Sequence, residues 1–333
     1  MSGQWRRRAP ANATESELNM KRGLAILFTG LLVLGLSSCS MQGPGAAPPG
    51  NTATETPTTH AGKATIGLSI STLNNPFFVS LRAGAEAEAQ AVGLGLITVD
   101  SQNDPAKQIA GVEDLIQKKV RVIMINPTDS DAVSNVVKEA TAAGVKVVSL
   151  DRAVNGAEVS SHIASDNAAG GRMAAEFLLQ KLGGKGNLVE LQGIPGSSAA
   201  RERGEGFESG IAGKPGVKLV AAQPADFDRA KGLTVTENIL QGNHNVQGVF
   251  AQNDEMALGA EKAIEAAGLH GVAVVGFDAT PDAIAAVKAG KLAATVQQKP
   301  DLIGKMGVDV AKQLIEGKPV DKNVPVPLAL VSE

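Results

Sequence analysis

From residue 65 onward, short runs rich in β-branched residues alternate with longer segments of helical period, and this alternation narrows the possible folds more than any other feature. The runs are TIGLSIS, LGLITVD, RVIMIN, VKVVSLD, NLVELQG, VKLVAAQ, VQGVFAQ, VAVVGFD and LAATVQQ. Several are apolar throughout, as strands covered on both faces must be. Helical segments lie between them, among them 77–92, 109–118, 133–143, 167–182, 254–267 and 301–316, with apolar residues at i, i+3 and i+4, as in Val133, Val136, Val137 and Ala140. Repeated strand, helix, strand units dictate parallel sheets with right-handed crossovers. A chain of 333 residues accommodates two such sheets, each in a lobe of ordinary domain size. The expected class is α/β, two doubly wound parallel-sheet lobes.

The first 62 residues break the pattern. Met20-Lys21-Arg22 precedes an apolar run over 23–36 and then Ser37-Ser38-Cys39, the order of a charged region, a short apolar region and a small-residue processing site. The run falls short of the roughly 20 residues that a membrane-spanning helix needs. Leu36-Ser37-Ser38-Cys39 resembles a bacterial lipobox, which implies cleavage before Cys39 and acylation of its thiol; a plain secretory signal with an incidental cysteine is the alternative. Residues 1–39 are therefore read as a signal region, with translation expected to start at Met20. Residues 40–62 are mostly Pro, Gly, Ala and Thr, a composition without the apolar surface to fold, and read as a flexible tether of about 25 Å reach.

Composition closes off several functions. A net charge of -3 gives no basic field for a phosphate backbone, so nucleic acid is not expected as a partner. The single cysteine, Cys39, excludes an internal disulfide framework and, once lipidated, leaves no thiol nucleophile. No G-x-G-x-x-G follows a strand and no Walker-type loop exists. His60 lies in the tether, while His162, His244 and His270 are isolated and read as surface residues. Asp100-Ser101-Gln102-Asn103-Asp104 faintly resembles a calcium loop, but Pro105 stands where that loop needs Gly, and the stretch reads as a turn. Neither metal nor cofactor is expected.

In open α/β sheets ligands sit beyond the carboxyl ends of the strands. There the sequence places Asn74 and Asn75 with Phe77 and Phe78, then Asn126, Asp151 and Arg152, Arg201 and Arg203, Phe227, Asn253 and Asp254, Asp278, and Gln297 and Gln298. Each has a local explanation. Asn75 suits a helix cap ahead of Pro76, Asn126-Pro127 and Asn253-Asp254 suit caps, and Asp151-Arg152 suits a solvated pair. Together they supply two carboxylates, guanidiniums, several amides and flat apolar rings, without metal ligands or a phosphate loop. A sugar matches that set, because each hydroxyl both donates and accepts while the C–H faces pack on rings. A mispaired buried hydroxyl costs about 1 to 3 kcal/mol, which lets such a site reject an epimer.

The segments STLNNPFFVSL, SQNDPAKQ, INPTDSDAV, SHIASDN, SAARERGEGF, QPADFDR, FAQNDEMALGA, VVGFDATPD and KLAAT resemble the D-ribose-binding proteins of bacterial ABC sugar importers, which are type I periplasmic binding proteins. The resemblance runs from about Lys63 to the C-terminus. It implies a binding protein rather than an enzyme, with the sugar ring between Phe77 and Phe78 of one lobe and Phe227 of the other. It carries the hydrogen-bonding set onto Asn75, Asn126, Asp151, Arg152, Arg203, Asn253, Asp278 and Gln298, and makes Arg201 a structural or surface residue. The implied first lobe is 63–165 with 299–327, and the second 166–298 with 328–333. An ABC permease is the implied partner and a chemoreceptor a further one; the location is extracytoplasmic, in the periplasm or at the cell surface, with membrane contact only through acylated Cys39. Departures are the lipobox with its tether and a stretch at 208–219 that is one residue longer. A sugar-responsive transcriptional regulator would need a basic helical N-terminus, and a sugar-modifying enzyme would use Asp151 or Asp278 as base; these are the rival readings.

Overall fold

The structure is a computed structural model that describes residues 63–332; the signal region, Cys39 and the tether lie outside the described residues. Strands β1 (Thr65–Ile70), β2 (Gly95–Asp100), β3 (Val122–Ile125) and β4 (Lys146–Leu150) are joined by helices α1 (Pro76–Ala91), α2 (Pro105–Gln117) and α3 (Ser134–Ala142), and β5 (Ser161–Ser165) follows β4 without a helix between. With β11 (Asn323–Val326) from near the end of the chain, they form a parallel sheet in the order β11-β5-β4-β3-β1-β2.

Period-two alternation within β3 explains why its run is apolar throughout. Val122 and Met124 pack in one core with Phe77, Phe78, Leu81 and Ile303, while Ile123 and Ile125 pack in another with Leu115, Val136 and Val137. Both faces of the sheet are covered, so both sets of side chains must be apolar. Helix α1 begins where the Asn75 side chain accepts the Phe77 amide at 2.9 Å and Pro76 fills the first position. The same device opens α2: Asp104 accepts the Ala106 and Lys107 amides and Pro105 follows it. That cap starts α2 ahead of the expected residue 109.

The second half repeats the plan with α4 (Asn167–Lys181), β6 (Gly186–Gln192), α5 (Ser198–Ile211), β7 (Val217–Pro224), α6 (Arg229–Gly242), β8 (Gly248–Ala251), α7 (Asp254–Ala266), β9 (Ala273–Asp278), α8 (Pro281–Lys288) and β10 (Ala294–Gln297). Helix α9 (Pro300–Ile315) returns to pack on α1 of the first lobe, and β12 (Ala329–Ser332) completes the second sheet in the order β12-β10-β9-β8-β6-β7. All of its pairings are parallel except that of β12 with β10. The chain is therefore α/β with two doubly wound sheets, each parallel apart from one antiparallel edge strand in the second. It passes between the sheets at 165–167, 297–300 and 326–329.

Three strands carry too weak a pattern to be read from sequence. β5 is Ser-His-Ile-Ala-Ser, polar at both ends, and the edge strands β11 and β12 are four residues each, β11 holding Pro325. One expectation fails with β5. His162 is not a surface residue: it is half-buried in that strand, its Nδ1 is 2.8 Å from the Ser149 hydroxyl, and burial pushes its imidazole pKa down.

In each sheet the strand order reverses once, at β1/β3 in the first and at β6/β8 in the second. Connections leave such a point in opposite directions and open a crevice beyond the strand ends.

Candidate functional site

The two crevices share one small cavity. The first sheet contributes Asn75, Phe77 and Phe78 beyond β1 and Asp151 and Arg152 beyond β4. From the second come Ala199 and Arg203 on α5, Phe227 beyond β7, Asn253 beyond β8, Asp278 at the end of β9 and Gln298 beyond β10. Asn75 and Asn253 serve twice, because each lines the cavity and also caps a helix, Asn253 accepting the Met256 amide at 2.9 Å. The positive ends of α1 and α7 are thereby held at the cavity wall.

Of the residues expected at the site, Asn126 does not line the cavity. It stands behind Asp151, donating from Nδ2 to Asp151 Oδ2 at 3.1 Å and to the Leu150 carbonyl at 3.2 Å, while its Oδ1 accepts the Ser71 amide at 3.2 Å. Ala199 lines the wall without any signal in the sequence, being a small apolar residue in a helix. Asn167 and Gln252 also escaped notice, although they fix Arg203: its Nε donates to Asn167 Oδ1 at 2.9 Å and its Nη1 to the Gln252 carbonyl at 2.7 Å. Arg201 points elsewhere, donating to the Pro195 carbonyl at 3.3 Å.

The charged groups are close yet not hydrogen-bonded to one another. Arg152 Nε lies 3.8 Å from Asp151 Oδ2, and Arg203 Nη1 lies 3.8 Å from Asp278 Oδ1, too far for hydrogen bonds. Asp151 and Arg152 are each only 3% exposed, so the solvated-pair reading does not hold for them. Aromatic rings flank the guanidiniums. Arg152 sits 5.1 Å from the Phe78 ring and 5.3 Å from the Phe227 ring, and Arg203 sits 3.8 Å from the Phe277 ring. Phe77 and Phe78 meet edge to face at 5.1 Å.

Three buried polar atoms on this wall have no partner in the protein: Asp151 Oδ1, Arg152 Nε and Gln298 Oε1. An unsatisfied buried group costs about 1 to 3 kcal/mol. One donor and two acceptors facing a small cavity form a set that hydroxyl groups, donors and acceptors at once, would satisfy. Burial pushes the Asp151 carboxyl up and the Asp278 carboxyl well up, with the neighbouring guanidiniums pulling each back. Burial lowers the Arg152 guanidinium to about 10, which leaves it cationic at neutral pH. Asp151, Phe227 and Asp278 all have left-handed φ values of 63°, 59° and 119°. Such strain gathers at sites where the fold presets side chains.

Across the mouth of the crevice the halves bond directly. The Ser130 amide donates to the Gly196 carbonyl at 2.9 Å, the Ser198 amide to Ser130 Oγ at 3.1 Å, and the Ala153 amide to Ser198 Oγ at 2.9 Å. The cavity is thus shut between two lobes in contact.

Behind the wall, burial raises the Asp254 carboxyl from its ordinary 3.8 to about 7, against hydrogen bonds from Thr295 and Thr280 that lower it. Between those two values the folded chain holds a proton that the unfolded chain does not, so stability falls as pH rises through this window. The melting temperature of the ligand-free protein is accordingly expected to rise as pH is lowered from about 8 to 6.5, with the slope flattened in Asp254→Asn. His162, whose pKa is lowered by burial, opposes the trend only below its ordinary value of 6.5. Calorimetry across that range checks the sign; a melting temperature that falls instead would contradict it.

Two parallel-sheet lobes closed on a small polar and aromatic cavity at their switch points define a two-lobed substrate-binding protein. The sequence profile of the periplasmic binding protein domain matches residues 66–319, and the chain belongs to that family, whose members are substrate-binding proteins and not enzymes. Membership carries an extracytoplasmic location. The chain is 54% identical over 269 residues to the ribose import binding protein of Salmonella typhimurium, covering 81% of this chain and 90% of that one. It is 49% identical over 314 residues to the ribose import binding protein of Bacillus subtilis, covering 94% of this chain and all of the other. Among solved structures it resembles a periplasmic solute-binding protein of an ABC transporter from Actinobacillus succinogenes with bound D-allose, at TM-score 0.76 and 34% identity over 81% of this chain and 98% of that one. Among the described residues no helix is long and apolar enough to cross a membrane.

Proposed function

We propose that this protein captures a monosaccharide, D-ribose before others, and delivers it to an ABC permease. The observation that carries the proposal is the cavity between the lobes whose walls set two carboxylates, two guanidiniums and three amides around aromatic rings from both lobes. Asn75, Asp151, Arg152, Arg203, Asn253, Asp278 and Gln298 bond the hydroxyls, Phe77, Phe78 and Phe227 cover the ring faces, and Asn126 acts through Asp151. Micromolar affinity corresponds to about 8 kcal/mol, within reach of a preformed, desolvated site.

The lobes, 63–165 with 299–327 and 166–298 with 328–333, open and close about the three crossing segments. A sugar that binds the closed form about 5.5 kcal/mol more tightly than the open form shifts the population from 1:99 to 99:1. The permease reads that closure, and a chemoreceptor would read the same surface. Differential scanning calorimetry with D-ribose, D-allose, D-galactose, D-xylose and L-arabinose tests the proposal. Ribose is expected to raise the melting temperature most; a panel in which no sugar does so refutes it. The only tryptophan is Trp5 and there is no tyrosine, so heat rather than intrinsic fluorescence is the appropriate readout.

Acylated Cys39 anchors the protein in this proposal, since two or more acyl chains suffice for stable membrane attachment. Mass spectrometry of protein from its native host is expected to find diacylglyceryl-modified Cys39 as the first residue, and Cys39→Ser is expected to release the protein from membranes. An unmodified residue ahead of Cys39 in the mature chain overturns the anchor and leaves the sugar site untouched.

A further inference from the structure

Asp278 leaves β9 on a backbone that L-residues rarely adopt, with φ of 119° at Asp278 and 56° at Ala279, immediately before Thr280 caps α8. Strain of this kind costs of order 1–3 kcal/mol per residue and persists only where the surroundings over-determine it. The group that holds the turn does not touch the cavity. Asp254, 0% exposed at the start of α7, accepts the Thr280 amide on Oδ2 at 2.7 Å and the Thr295 hydroxyl on Oδ1 at 2.6 Å. Thr295 Oγ1 in turn accepts the Ala279 amide at 3.1 Å. Both amides that follow Asp278 are therefore tied to one carboxylate, the second directly and the first through a hydroxyl. The floor under that carboxylate is Gly276, where a Cβ would come within 2.3 Å of Asp254 Oδ1.

Asp278 itself is held less firmly from within the cavity. Its Oδ1 accepts a hydrogen bond from Gln298 at 2.9 Å, and the Arg203 guanidinium stays 3.8 Å away. Its aim depends on the peptide that carries it. A carboxyl group buried against no cation is a costly way to hold a turn that an apolar core could fill. We propose that Asp254 and Thr295 are positioning residues for ligand recognition, clamping the strained 278–280 turn so that the Asp278 carboxylate stands preset in the cavity. This rests on the monosaccharide reading of the site.

Isothermal titration with D-ribose, well below the melting temperature and with the fold of each variant checked by circular dichroism, tests the clamp. Thr295→Val and Asp254→Asn are each expected to weaken ribose binding about 10- to 100-fold, while Thr295→Ser, which keeps the hydroxyl, stays within about threefold of wild type. In an Asp278→Asn background, Thr295→Val is expected to cost less than about threefold more, because the residue it positions has already lost its charge. Equal losses in both backgrounds, or Thr295→Ser as weak as Thr295→Val, would reduce the clamp to general stability and overturn the proposal. Wild-type protein that binds ribose, with both Thr295→Val and Asp254→Asn unimpaired, overturns it while sparing the parent reading. Wild-type protein that binds no monosaccharide overturns both.

Discussion

Alanine at Arg152 or at Asp278 is expected to abolish the rise in melting temperature that D-ribose gives the wild-type protein. Both side chains are almost fully buried on the cavity wall, and each lies 3.8 Å from a group of opposite charge, Asp151 for Arg152 and Arg203 for Asp278. Truncating one member loses its own charge-assisted bonds to the ligand, about 1.5–3 kcal/mol apiece, and leaves its neighbour an uncompensated buried charge. Arg152→Ala also removes the cation packed between the Phe78 and Phe227 rings and orphans the Pro127 carbonyl it holds at 3.0 Å. At about 1.4 kcal/mol per decade, either change weakens binding at least about 100-fold. Sugar at 100 times the wild-type Kd stabilises by about 2.7 kcal/mol, whereas a 100-fold weaker variant gains only about 0.4 kcal/mol. For a chain of this size that separates a shift of roughly 5–10 °C from one near 1 °C. Wild-type shifts in both variants would place the sugar somewhere other than this cavity.

The fold was legible because its periodicities are unambiguous wherever both faces of a strand are buried. β3 and β9 read as apolar runs because each is enclosed by helices on both sides, whereas β5, β11 and β12 sit at or beside sheet edges where polar residues and Pro325 are tolerated. The strand-end rule located the cavity-lining residues other than Ala199, since a parallel sheet sends its functional side chains to one end. For Asn75 and Asn253 the competing explanation is also true: both cap helices and both line the cavity, so cap chemistry and ligand chemistry were never alternatives there. What stayed hidden depends on orientation. Nothing in Asn126-Pro127 says that the amide turns behind Asp151, and nothing in Asn253-Asp254 says that the second residue turns inward to hold a distant turn. Supporting residues such as Asn167, Gln252 and Asp254 are identified by their partners, and those partners are 36, 49 and 26 positions away.

Gly196→Val is expected to separate lobe closure from contact with the sugar. Gly196 lies outside the cavity, at the seam where its carbonyl accepts the Ser130 amide at 2.9 Å. A Cβ at this position would stand 2.1 Å from Asp129 Oδ2 and 2.8 Å from Asp129 Cγ. Asp129 has little room to turn away, because its Oδ1 already accepts the Asp131 and Ala132 amides at 2.9 and 2.8 Å. Gly196 is not among the glycines of left-handed φ, and the three atoms nearest an added Cβ all belong to Asp129 of the opposing lobe. The clash with Asp129 therefore falls on the closed form. A penalty of about 2.7 kcal/mol on closure appears as a 100-fold loss of apparent affinity, since only the fraction able to close can hold the sugar. Three results are expected together: ribose affinity down on the order of 100-fold, a ligand-free melting temperature within about 2 °C of wild type, and small-angle scattering that stays at the open radius at ribose concentrations that compact the wild type. Arg152→Ala loses affinity by removing a contact inside the cavity, whereas Gly196→Val leaves every contact residue in place. A Gly196→Val protein that compacts and binds as wild type would show that the lobes meet differently around the bound sugar, and the closure mechanism would fall with it.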